Sequence, residues 1–182
     1  MTGTDLALLV LRAVLGGVYL AHGARKLGWL GPGGFADFAG SIAQRGFRPP
    51  ILWAAAAIAA EVGGGTLAIA GLLTPVAGAM LIALSTVIVA LVAPRGFWFM
   101  NKGIEYPLVL GVVAFVVGLA GPGAVSLDGV LGIRFQAGVP ELLVAAVFAG
   151  GLVSVVARRG PAAAAPATRD DATSGGAATP PR

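Results

Sequence analysis

The chain has 182 residues, of which 57% are hydrophobic and 11% charged, with a formal net charge of +4. That is too little polar surface for a soluble domain of this size, and the length suits one compact helical bundle. The positive charge does not mark a nucleic-acid binder, because the cations sit singly or in pairs beside apolar runs, as topology signals do. The absence of cysteine excludes disulfides, cysteine-ligated iron–sulfur clusters and thiol redox chemistry by this chain. A lone histidine excludes a haem with two histidine ligands in one protomer, and no metal-ligand spacing occurs. The apolar residues form unbroken runs and not the alternation of a membrane β-barrel. The expected fold is therefore all-α: a polytopic membrane helix bundle.

The first apolar run, Leu6 to about Leu27, reads as a retained span and not a cleaved leader, since Asp5 precedes it and no basic residue comes before Arg12. It carries a polar stripe. Arg12, Tyr19 and Lys26 are seven apart and His22 falls between them, so all four occupy about a quarter of the helix circumference. Such a stripe faces a bundle interior or a watered cavity. Arg25 lies off it and serves as an interfacial anchor.

Between residues 28 and 50, Phe35, Phe38 and Ile42 follow helical spacing while Asp37, Ser41, Gln44 and Arg45 fall elsewhere. This predicts a short amphipathic helix on the membrane surface. The second span is Ile51 to Leu73. Glu61 lies ten residues into it, near the bilayer midplane, where a carboxylate needs a partner or a use. Counting depth from opposite faces places Arg12 within about one helical turn, ~5 Å, of Glu61, which predicts an Arg12–Glu61 pair.

Only Leu73-Thr74-Pro75 separates the second span from the third, Pro75 to Ala93, so these two are antiparallel neighbours, with Thr74 as cap and Pro75 in the first turn. Asn101-Lys102-Gly103-Ile104-Glu105-Tyr106-Pro107 opens a short fourth run, about Tyr106 to Ala120, with a start expected back near Gly103. Asn101 and Glu105 share a face if helical, and Glu105 is placed to pair with Lys26, with His22 beside them. The fifth run is Val139 to Ala157. Pro107 and Pro140 are expected at the first position of their helices. Residues 158–182 contain no bulky apolar side chain and are expected to be a disordered cytoplasmic tail.

With five spans, one side collects Arg25, Lys26, Arg45, Arg48, Arg95, Lys102, Arg158 and Arg159, and the other only Arg134. The positive-inside rule then puts the N-terminus outside and the tail in the cytoplasm, in a cell membrane.

Several motifs in order give the chain a family likeness: Arg12-x3-Gly16, Gly23-x2-Lys26-Leu27, Glu61-x-Gly63-Gly64, Gly71-Leu-x-Thr74-Pro75, Asn101-x-Gly103-x-Glu105-x-Pro107, and Gly121-x-Gly123-x2-Ser126-Leu127-Asp128. On these the chain resembles the DoxX family of small membrane proteins from about Leu9 to Leu131. The resemblance implies a four-helix membrane domain over residues 1–132, leaving 133–157 as an additional transmembrane helix. It puts Arg12, Lys26, Glu61, Asn101 and Glu105 on the family's polar positions, with His22 inside the same pattern. Some relatives are described as subunits of a thiosulfate:quinone oxidoreductase and others are linked to redox or quinone stress.

The functional expectation is a membrane subunit of an oxidoreductase or redox-homeostasis system, with a quinone as the cofactor to consider. Its expected partners are the bilayer, a redox-enzyme subunit and further copies of itself. A scaffold or assembly factor without its own catalysis stands against this reading. A small-solute or proton carrier is a third alternative, disfavoured by the lack of an inverted repeat.

Overall fold

A computed structural model of the chain describes residues 1–158, so the expected tail beyond Arg158 lies outside the described residues. The described residues are helical, without strands. The helices are α1 (Gly3–Lys26), α2 (Phe35–Gln44), α3 (Pro50–Ala59), α4 (Gly65–Ala70), α5 (Thr74–Val92), α6 (Glu105–Ala120), α7 (Leu127–Leu131) and α8 (Val139–Ala157). A π-helical segment, Ala60–Gly64, joins α3 to α4 within the second span.

Four of these rods are long and apolar enough to cross a membrane: α1, the α3–π–α4 rod, α5 with the turn that follows it, and α8. The fourth run forms α6, which starts at Glu105, one residue before Tyr106 and two after Gly103. Its 16 residues span ~24 Å at 1.5 Å each, short of the ~30 Å hydrocarbon thickness. Pro107 is accordingly the third residue of its helix, and Pro140 is the second of α8, one position past the expected first.

Local chemistry fixes the ends. Thr2 and Asp5 form a reciprocal capping box at the start of α1. The other oxygen of Asp5 accepts the Ala124 N–H at 2.9 Å, tying the N-terminus to the α6–α7 connection. Thr74 does not cap α5. Asp128 does, taking the N–H groups of Leu73 (2.8 Å) and Thr74 (3.0 Å) and the Thr74 hydroxyl (2.9 Å). Leu73 needs that hold, since its φ of 47° is left-handed and costly for a side chain of its size.

Glycines set the helix register. Gly16 of α1 packs directly on the Gly65 backbone, Gly23 on Val62, and Gly78 of α5 on Gly118 of α6. A side chain at any of these positions would separate the helices. The core lies between α1, α4, α5, α6 and α8, around Leu15, Tyr19, Ala68, Leu81, Ala114, Val117 and Val144. Val144 belongs to this core and Gly151 packs on Ala83 and Thr86, so α8 is integral to the bundle. The amphipathic helix α2 forms as expected, but it packs on α3 through Ala39 and Ile42 around Phe47 and Ala54, leaving Phe35 partly exposed.

Candidate polar site

The ionisable residues of the spans divide into two groups at different depths. Lys26, at the end of α1, forms an ion pair with Glu61 in the π segment. Glu61 is 2% exposed, and its second carboxylate oxygen, Oε2, has no hydrogen-bond partner. Lys26 is 21% exposed, and its ammonium lies 4.7 Å from the centroid of the Phe38 ring of α2. The cation is thus held by a buried carboxylate on one side and an aromatic face on another. A π turn widens the backbone locally and is common where a helix carries a functional residue. Here it falls on Ala60-Glu61-Val62-Gly63-Gly64.

Arg12 is completely buried and does not pair with Glu61. The glycine register explains why. With Gly16 on Gly65 and Gly23 on Val62, Arg12 lies opposite Gly71, nearly three turns beyond Glu61. Its Nη2 donates to the Val125 carbonyl, while Nε and Nη1 have no partner among the described residues. Gly71 lies directly against the guanidinium.

Tyr19 is buried as the stripe predicts, its hydroxyl 2.5 Å from that of Ser85, which links α1 to α5. His22 is exposed at the edge of the bundle, its ring 6.2 Å from that of Tyr106. Glu105 does not reach Lys26. It accepts the Phe99 N–H at 2.8 Å and closes the turn before α6. Asn101 is exposed in that turn. Of the seven expected polar residues, the structure therefore brings Lys26 and Glu61 together, buries Arg12 and Tyr19 in separate contacts, and leaves His22, Asn101 and Glu105 at the periphery.

Three participants lay outside the expected set: Ser85, Phe38 and Asp128. Ser85 is a hydroxyl within the otherwise apolar run Leu81–Val92, flanked by Thr86, and a polar group there signals a partner. Phe38 shows only as one member of the amphipathic pattern. Asp128 stood in the last of the family-like motifs without a role.

Lys26 also lines a cleft of about 570 Å³ between α2, α3, α5 and α8. Its walls are otherwise mostly apolar, among them Phe38, Trp53, Met80, Ile88 and Val147. The size and lining suit a small lipophilic molecule with one polar end.

The family model described as DoxX matches residues 7–94, which takes in α1 to α5, both members of the ion pair and the π segment. No curated protein and no solved structure matches the chain.

Proposed function

The chain is a DoxX-family multi-pass membrane protein, matched over residues 7–94, and from that premise we propose that it is a membrane subunit of an oxidoreductase system that holds a lipophilic quinone at Lys26. The observation that carries this reading is one ammonium, backed by a buried carboxylate with an oxygen to spare, at the polar end of a large apolar cleft.

The residues present fit such a molecule. Lys26 Nζ can donate to a ring carbonyl while Phe38 and Trp53 offer flat apolar surface. The apolar walls suit an isoprenoid tail. When bound, a quinone supplies a two-electron, two-proton acceptor. Lys26 holds a proton next to that acceptor, and Glu61 keeps the ammonium in place and can receive a proton at Oε2. The electrons come from a partner redox subunit, because a chain without cysteine cannot relay them through thiols. In this reading the cation-rich end, with Lys26, Arg45 and Arg158, faces the cytoplasm.

The scaffold reading draws on a different observation: Tyr19 and Asp128 are spent on holding helices together. Quinone titration separates the two. Trp53 lines the cleft, so in a W29F/W98F background its fluorescence reports an occupant there. In nanodiscs, a short-tailed ubiquinone analogue should quench it saturably, and Lys26→Ala should weaken the apparent affinity about tenfold, the loss of one charge-assisted hydrogen bond. Quenching that is linear in quinone, or equal in Lys26→Ala, would refute the quinone assignment.

A further inference from the structure

A second recess adjoins the cleft where α8 ends beside the α2–α3 connection. It has a volume of about 580 Å³ and is lined by Arg48, Arg158, Phe47, Trp53 and Ser154, among others. Phe47, Trp53 and Ser154 also line the cleft, so the two spaces share a wall. The recess is cationic on one side and continuous with apolar surface on the other.

Two of the guanidiniums here, those of Arg158 and Arg45, are pre-positioned by backbone carbonyls. Arg158 Nε donates to the Val155 carbonyl at 3.1 Å, and its Nη1 donates to the Arg45 carbonyl at 3.3 Å. Arg45, which lines the cleft, donates from Nη1 to the Ser41 carbonyl at 2.8 Å. The Arg48 carbonyl accepts the Trp53 indole N–H at 3.3 Å. Among the described residues none of these three arginines is paired with a carboxylate; the ion pair formed there is Lys26–Glu61. Two arginines, Arg48 and Arg158, thus line the recess, and Arg45, whose carbonyl holds Arg158, lines the adjoining apolar cleft. Arginine forks suit phosphate oxygens, and ordering them beforehand lowers the cost of binding.

We propose that this recess is a binding site for an anionic phospholipid, its phosphate held by Arg48 and Arg158 with Arg45 adding positive charge from the adjoining cleft, and one acyl chain lying along the apolar surface of Phe47 and Trp53. Positive charge that has no carboxylate partner among the described residues selects an anionic headgroup over a zwitterionic one, which brings its own cation. The adjoining apolar surface selects a lipid over a free phosphate. The two sites share the Trp53 wall but have separate polar ends, Lys26 for one and Arg48 with Arg158 for the other.

Native mass spectrometry of delipidated protein titrated with phosphatidylglycerol or phosphatidylcholine tests this. Wild type should retain phosphatidylglycerol about tenfold more tightly, and R48Q/R158Q should abolish the preference. R95Q/K102Q removes the same charge elsewhere at that end and should keep it. Wild-type affinity equal for the two lipids, an equal loss in the two double variants, or displacement of phosphatidylglycerol by millimolar glycerol phosphate would overturn the proposal. R48Q/R158Q should leave the quinone-dependent quenching of Trp53 in place, so failure of one site is distinguishable from failure of the other.

Discussion

The Lys26 ammonium and the Glu61 carboxylate form an ion pair between the last turn of α1 and the π segment of the second span. The pair joins two helices whose backbones already touch through glycine. The chain therefore positions the charges by close backbone packing, and the charges need not draw the helices together.

Breaking this pair on one side should be costly. Lys26→Met leaves a buried carboxylate uncompensated, a loss of about 3 kcal/mol. Adding Glu61→Gln removes the stranded charge and should recover much of it. Thermal unfolding in detergent, followed by circular dichroism, should show a lower Tm for Lys26→Met than for the double variant. The reverse order would show that the pair does not stabilise the bundle.

Gly71 should tolerate no side chain. A Cβ there meets the Arg12 guanidinium and Ser126 Cβ, and the residue has a φ of +62°. Gly71→Ala should cost about 2–4 kcal/mol, the left-handed backbone and the overlap together. Gly31→Ala is the control: φ is +94° and nothing lies within 4 Å, so only the backbone cost applies. If the two variants unfold at the same temperature, the Arg12 contact contributes nothing.

Removing the Asp128 carboxylate should loosen the connection between the second and third spans. Asp128→Ala strips acceptors from two N–H groups and a hydroxyl, about 3 kcal/mol in all. Amide exchange at Leu73 and Thr74 should accelerate more than at Leu81 in the core. Thr74→Val, which removes one bond of the three, should have a smaller effect. Uniform acceleration across α5 would argue against a local clamp.

The positions of the spans and the inward stripe of Arg12, Tyr19 and Lys26 were legible because each is a one-dimensional property: a run of apolar residues, or a period. The pairings were not. Depth counted from the ends of α1 and the second span put Arg12 beside Glu61, but Gly16 on Gly65 sets the register nearly three turns away, and the π segment adds a residue to the second span. Glu105 illustrates a different failure. Its charge suggested a long-range partner, yet the nearest unsatisfied donor was the N–H of Phe99, six residues back. Glycine contacts and loop donors decide between partners that periodicity alone treats as equal.

Two tethers of α1 reach far along the chain: Asp5 to Ala124 and Arg12 to Val125, 119 and 113 residues apart. A ribosome finishes α1 long before it makes either acceptor or donor in that connection. The buried guanidinium of Arg12 therefore enters the membrane before its carbonyl exists. The glycine contacts and ion pair of α1 with the second span can form early, whereas the two tethers at its N-terminal end close only after α6 and the turn that follows it have been made.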